Sequence, residues 1–191
     1  MIESQLAQAG PGAIAIIGDS RVETALTPPS ISGRTVVNAG FGSATAGLLV
    51  KIVPSMFEHT HLSCAVIAVG INNARVNPVD DEDFEICFRR LTEIVERVSD
   101  RILLTTIAPV LAAAPLGVGY FSQEKIRSNN ETINRLAVAR GYGLIDLAKA
   151  TSDTFGDLYS DFSVDGVHFT AAGYARWNSE ITRGISSALS M

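Results

Sequence analysis

Five short runs of small and β-branched apolar residues constrain the fold of this chain more than any other feature. They fall at roughly 13–18 (AIAIIG), 35–39 (TVVNA), 64–69 (CAVIAV), 101–107 (RILLTTI) and 143–147 (GLIDL). Each is nearly continuously apolar or β-branched, as a strand covered on both faces should be. Helical patterns separate most of them. Between about 81 and 98, Phe84, Cys87, Phe88, Leu91, Ile94, Val95 and Val98 recur at three- and four-residue spacing. Asp80, Asp81, Glu82 and Asp83 crowd the start of that helix, where its dipole favours negative charge, so the acidic cluster is explained without a metal. Further helices are expected over about 44–56, ending around Pro54, and over about 122–139, with Gly141 as its stop. A last helix over about 171–189 carries Tyr174, Trp177, Ile181, Ile185 and Leu189 on one face. Strands alternating with helices imply βαβ units, a mostly parallel sheet and right-handed crossovers. No repeat, low-complexity tract or linker divides the chain, so residues 1–191 read as a single domain.

Composition narrows the function classes. With 47% hydrophobic and 18% charged residues, the chain can bury a substantial core. A net charge of −5 and the lack of any block of Lys or Arg argue against nucleic acid as a partner. Cys64 and Cys87 both fall in apolar patterns and read as buried thiols rather than a disulfide. The opening MIESQLAQAGPG has no positive segment followed by an apolar core, so no signal peptide is expected and a cytoplasmic enzyme fits. No apolar run approaches the ~20 residues that a membrane span needs.

In an open parallel sheet, ligands bind beyond the C-terminal strand ends. Gly18-Asp19-Ser20 follows the first apolar run, NAGFGSAT (38–45) the second, and GINNAR (70–75) the third. Ser20 offers a hydroxyl and a backbone N–H near a helix start, the Gly40–Ser43 loop can aim N–H groups inward, and Asn72 or Asn73 offers an amide. Preorganised donors of this kind are often the largest contribution to acyl-transfer catalysis. A serine nucleophile needs a base. Asp165 and His168, in SVDGVH, are three residues apart, close enough in one tight turn for the carboxylate to hold Nδ1–H and leave Nε2 for Ser20. Taken alone, that fragment also reads as a helix lead-in with Thr170 as N-cap. His59 and His61 form an HxH pair that can bind a metal, but no third ligand is evident nearby, so the pair reads as a surface loop.

In order and at these places in a βαβ pattern, GDS, NAGFGSAT, GINN and DGVH resemble the four blocks of the SGNH hydrolases, the GDSL esterase/lipase family, over residues 13 to about 180. The resemblance implies a flavodoxin-like three-layer α/β/α fold with five parallel strands in the order 2-1-3-4-5. It implies Ser20 as nucleophile, His168 as base and Asp165 as its orienter. The oxyanion hole would comprise the Ser20 N–H, a loop N–H from Ser43, and the Asn72 side chain. The implied enzyme is a serine esterase or deacylase acting on a small-molecule or carbohydrate ester, with no metal or organic cofactor. The alternatives are an O-acyltransferase using a sugar hydroxyl and a non-catalytic binding module. Three positions depart from the family pattern. Ser43 stands where a glycine is usual, with Gly42 as the alternative donor. Asn73 replaces the usual Asp. Arg21 replaces an apolar residue and reads as a surface ion pair with Glu23, with contact to an anionic substrate as the other reading. Arg21 and Asn73 are therefore the candidate substrate-binding residues. The apolar loop 110–121 (VLAAAPLGVGYF) is expected to line a short acyl pocket. Val22 rules out a G-x-S-x-G elbow, and no G-x-x-x-x-G-K-[ST] phosphate loop is present.

Overall fold

The computed structural model describes residues 2–78, 82–117 and 119–190. Asp80 and Asp81 of the acidic cluster lie outside the described residues, as does Val118 of the apolar loop. The strands are β1 (Ala13–Gly18), β2 (Ser30–Ile31), β3 (Arg34–Gly40), β4 (Leu62–Ala68), β5 (Ile102–Thr105) and β6 (Gly143–Ile145). The helices are α1 (Ile2–Ala9), α2 (Ser20–Glu23), α3 (Ala46–Met56), α4 (Phe84–Val95), α5 (Gln123–Arg140), α6 (Leu147–Thr151) and α7 (Ala171–Leu189).

The sheet runs β2-β3-β1-β4-β5-β6. Its five parallel strands, β3-β1-β4-β5-β6, reproduce the expected order, and helices cover both faces. The expectation of five strands is corrected to six, because β2 adds a two-residue antiparallel edge to β3. The cause is local. Ser32 and Gly33 both take left-handed backbone, φ 50° and 75°, and two such residues form the tight hairpin turn that returns the chain on itself.

Alternation along β1 divides the core. Ala13, Ala15 and Ile17 pack toward one face with Leu49, Val53, Phe88, Leu91 and Ile133 from α3, α4 and α5. Ile14 and Ile16 pack toward the other with Trp177, Ile181 and Ile185 of α7. β1 lies between β3 and β4, and its last residue, Gly18, is in register with both Gly40 and Ala68. Three strands therefore end abreast, and the loops that follow them emerge side by side. Glycine is required at that edge. A Cβ on Gly18 would lie 2.3 Å from the Ala68 carbonyl oxygen.

Candidate active site

Asp19 is the N-cap of α2 and accepts the Arg21 N–H at 3.0 Å, which places Ser20 at the first position of the helix. The Gly70 and Ile71 N–H groups, in the loop after β4, favour the ionised Asp19 carboxylate. Burial raises the Asp19 carboxyl above its ordinary value, against the pull of Arg21 and these donors.

His168 Nε2 lies 3.1 Å from Ser20 Oγ, across 148 residues of chain. His168 Nδ1 lies 2.7 Å from Asp165 Oδ2. With Nδ1–H donated to the carboxylate, Nε2 is the acceptor for the serine hydroxyl. The turn that carries both residues is built around the same carboxylate, whose Oδ1 accepts the Val167 and His168 N–H groups at 2.8 Å each. Ser163 Oγ closes the turn by donating to the His168 carbonyl at 2.7 Å. Burial opposes ionisation of Asp165, but the His168 side chain and the two backbone donors outweigh it and hold the carboxyl down at about 2. Thr170, the other reading of this stretch, is the N-cap of α7, so the segment is both a helix lead-in and the bearer of His168.

The loop after β3 is anchored by Phe41 N–H on the Gly18 carbonyl at 3.0 Å. Ser43 takes left-handed backbone, φ 59°, whereas Gly42 does not. The conformation that favours glycine thus falls on Ser43. Asn72 is buried in a 3₁₀ turn, Asn72–Ala74. Its Nδ2 donates to the Ala44 carbonyl at 3.0 Å. Asn73 points elsewhere, with Oδ1 accepting the Ala46 N–H at 3.0 Å at the start of α3. That bond ties α3 to the loop after β4.

Arg21 is not a surface residue. Its side chain is buried, and its donors go to the carbonyls of Val167 at 2.9 Å, Ala108 at 2.8 Å and Pro109 at 3.1 Å. The expected ion pair with Glu23 is corrected accordingly. A guanidinium taken from water needs hydrogen-bond partners, and here backbone carbonyls of two loops take three of its five N–H donors. Phe169 packs against it, with the Arg21 Cζ 5.1 Å from the ring centroid. Val167 immediately precedes His168, so Arg21 fixes the base-bearing turn from beneath. Nothing local in the sequence signals this, since the carbonyls lie 87 to 146 residues away.

The apolar loop closes one side of the site. Leu111 N–H bonds the Gly166 carbonyl at 2.9 Å and Leu116 N–H the Asp165 carbonyl at 2.8 Å. At its far end Val76 N–H bonds the Tyr120 carbonyl, also at 2.9 Å. It therefore spans from the His168 turn to the Asn72 turn. The HxH pair is remote from all of this. Both histidines are exposed, and His61 Nε2 lies 2.7 Å from Asp100 Oδ1. Among the described residues, no group of three or more His, Cys, Asp or Glu could hold a metal ion. No described helix is long and apolar enough to cross a membrane.

The family model for the GDSL-like lipase/acylhydrolases matches residues 9–176. The chain belongs to that family. It is therefore a carboxylic ester hydrolase of the GDSL type. It is 24% identical over 166 residues to the isoamyl acetate-hydrolyzing esterase of Saccharomyces cerevisiae, covering 80% of this chain and 69% of the yeast protein. Solved structures share its fold. A GDSL-like lipase from Bacteroides thetaiotaomicron matches with a TM-score of 0.78 at 19% identity, over 97% of this chain and 94% of that one. A carbohydrate acetylesterase from Sinorhizobium meliloti matches with a TM-score of 0.73 at 14% identity, over 92% of this chain and 99% of that one.

Proposed function

We propose that this GDSL hydrolase is a serine esterase or deacylase for short acyl esters, working through Ser20, His168 and Asp165. The observation that carries the reading is the unbroken chain from Ser20 Oγ through the imidazole to the Asp165 carboxylate, at 3.1 and 2.7 Å. Ser20 Oγ attacks the ester carbonyl as His168 Nε2 takes its proton, and Asp165 holds Nδ1–H and stabilises the imidazolium. The Ser20 and Ser43 N–H groups and Asn72 Nδ2 receive the developing oxyanion. The imidazolium then protonates the leaving alcohol, and water, deprotonated by His168, releases the acid from the acyl-enzyme. Every step uses this chain's own residues, with no cofactor.

The short-acyl preference rests on the walls of the site. Backbone hydrogen bonds tie Leu111 and Leu116 to the His168 turn and Tyr120 to Val76 beside the Asn72 turn, which favours a short cleft over a long groove. The yeast relative is named for an acetate ester and the Sinorhizobium neighbour for carbohydrate acetyl esters, which favours the same class. A buried CH₂ gains ~0.8 kcal/mol only where a pocket receives it, so kcat/KM should peak at acyl chains of about two to four carbons. A steady rise to about twelve would overturn that preference.

The deciding test pairs a fluorophosphonate adduct, read by intact mass, with turnover of p-nitrophenyl acetate. A single adduct absent from Ser20→Ala is expected. Ser20→Ala and His168→Ala should each lose ~10³-fold or more in rate, and the double variant hardly more, because members of one catalytic unit are strongly non-additive. If Ser20→Ala kept more than about a tenth of the wild-type rate, the nucleophile would lie elsewhere.

A further inference from the structure

Asn72 does not set its own orientation. Its Oδ1 accepts two hydrogen bonds from one side chain, Arg75 Nε at 3.2 Å and Nη2 at 3.1 Å. We propose that Arg75 is a positioning residue of the oxyanion hole, whose guanidinium locks the Asn72 amide with Nδ2 toward the site and polarises it as a donor. The proposal rests on the esterase reading above.

An asparagine amide can be turned end for end, and only its neighbours decide which end faces where. Here both neighbours agree. Arg75 occupies the two lone pairs of Oδ1, and the Ala44 carbonyl takes one hydrogen of Nδ2. The reversed amide would set its NH₂ against the guanidinium donors and its oxygen against the Ala44 carbonyl. It would lose every bond and gain two repulsions. The single orientation left keeps the second Nδ2 hydrogen for a ligand. The charge matters as well as the geometry. Cationic donors on a carbonyl oxygen draw electron density from the amide nitrogen, so its remaining N–H becomes a stronger donor to a developing anion.

Arg75 is itself held. Its Cζ lies 5.7 Å from the Phe121 ring centroid, and its backbone bridges to Phe121. Lys125 Nζ donates to its carbonyl at 2.9 Å. It is half-buried, and two of its donors go to one acceptor. That arrangement suits a guanidinium fork and not a lysine ammonium.

The experiment measures kcat and KM on p-nitrophenyl acetate for Arg75→Met, Arg75→Lys and Asn72→Ala, and for Arg75→Met combined with Asn72→Ala. Arg75→Met is expected to lower kcat about tenfold with KM within about twofold, since it weakens one oxyanion donor without removing the hole. Arg75→Lys should recover part of the loss. In the Asn72→Ala background Arg75→Met should cost nothing further, because the residue acts only through that amide. If Arg75→Met fails to fold, Arg75→Lys carries the same comparison in both backgrounds. Equal losses in both backgrounds, a rise in KM with kcat intact, or full kcat in Arg75→Met would overturn the proposal while leaving a Ser20-dependent esterase standing. A wild-type enzyme whose turnover does not depend on Ser20 would overturn the esterase reading and this proposal together.

Discussion

At the scale of single residues, Ser43 is the strained member of the site. A left-handed backbone costs an L-residue roughly 1–2 kcal/mol, while glycine gives back about half of that gain through its freer unfolded chain. Ser43→Gly should therefore raise stability by up to about 1 kcal/mol and leave kcat near wild type, because the N–H stays in place. Chemical denaturation beside p-nitrophenyl acetate kinetics checks it. A destabilised Ser43→Gly would mean that the Ser43 side chain makes a contribution larger than the strain. Arg21 has the opposite character. It is held by three carbonyls of distant loops, and removing it would strand them, each costing about 1–3 kcal/mol.

At the scale of elements, the two asparagines point apart because they start a 3₁₀ turn. Successive side chains in such a turn are rotated by about a third of a revolution, so Asn72 and Asn73 diverge. One is turned to the Ala44 carbonyl and the other to the first N–H of α3. Asn72→Ala should lower kcat ~10²-fold or more with little change in Tm. Asn73→Ala should lose about 1 kcal/mol of stability with kcat largely kept, and Asn73→Asp should be tolerated, since a carboxylate still accepts at a helix start. If Asn73→Ala were the variant that lost kcat, the oxyanion assignment would fall.

At the scale of the whole molecule, two carboxylates near the site pull stability in opposite directions with pH. Asp165 is held at about 2, below its ordinary 3.8. Its contribution is present above pH ~4 and is lost as pH falls toward ~2, because the unfolded chain binds the proton first. Asp19 is raised by burial, so its contribution is complete below its ordinary value and declines as pH rises through its folded value. The sum hides both, so the comparison must be made by difference. The stability gap between wild type and Asp165→Asn, from urea unfolding, should shrink between about pH 4 and pH 2. A gap constant over that range would show that the fold does not hold Asp165 ionised.

By itself the sequence marked the five parallel strands of the sheet, and the family resemblance implied their order. Runs such as AIAIIG are short, apolar, half β-branched and closed by a Gly-Asp-Ser turn, which favours buried strands, and that information is local. The Asp165–His168 pair was legible for the same reason, since its partners sit within one turn. The Ser32-Gly33 turn was local too, yet β2 is so short that its two residues gave no periodic signal. Tertiary structure alone decided where the charged side chains go. Arg21 looks like a surface residue beside Glu23, and only the carbonyls of Ala108, Pro109 and Val167, brought in from distant loops, draw it inward. Arg75 sits three residues from Asn72 in the same turn, so its fork is local, but its contact with the Phe121 ring exists only once the loop from Val110 folds back onto that turn. A strand is encoded by its own residues, whereas a buried cation is placed by whichever acceptors the rest of the chain leaves open to it.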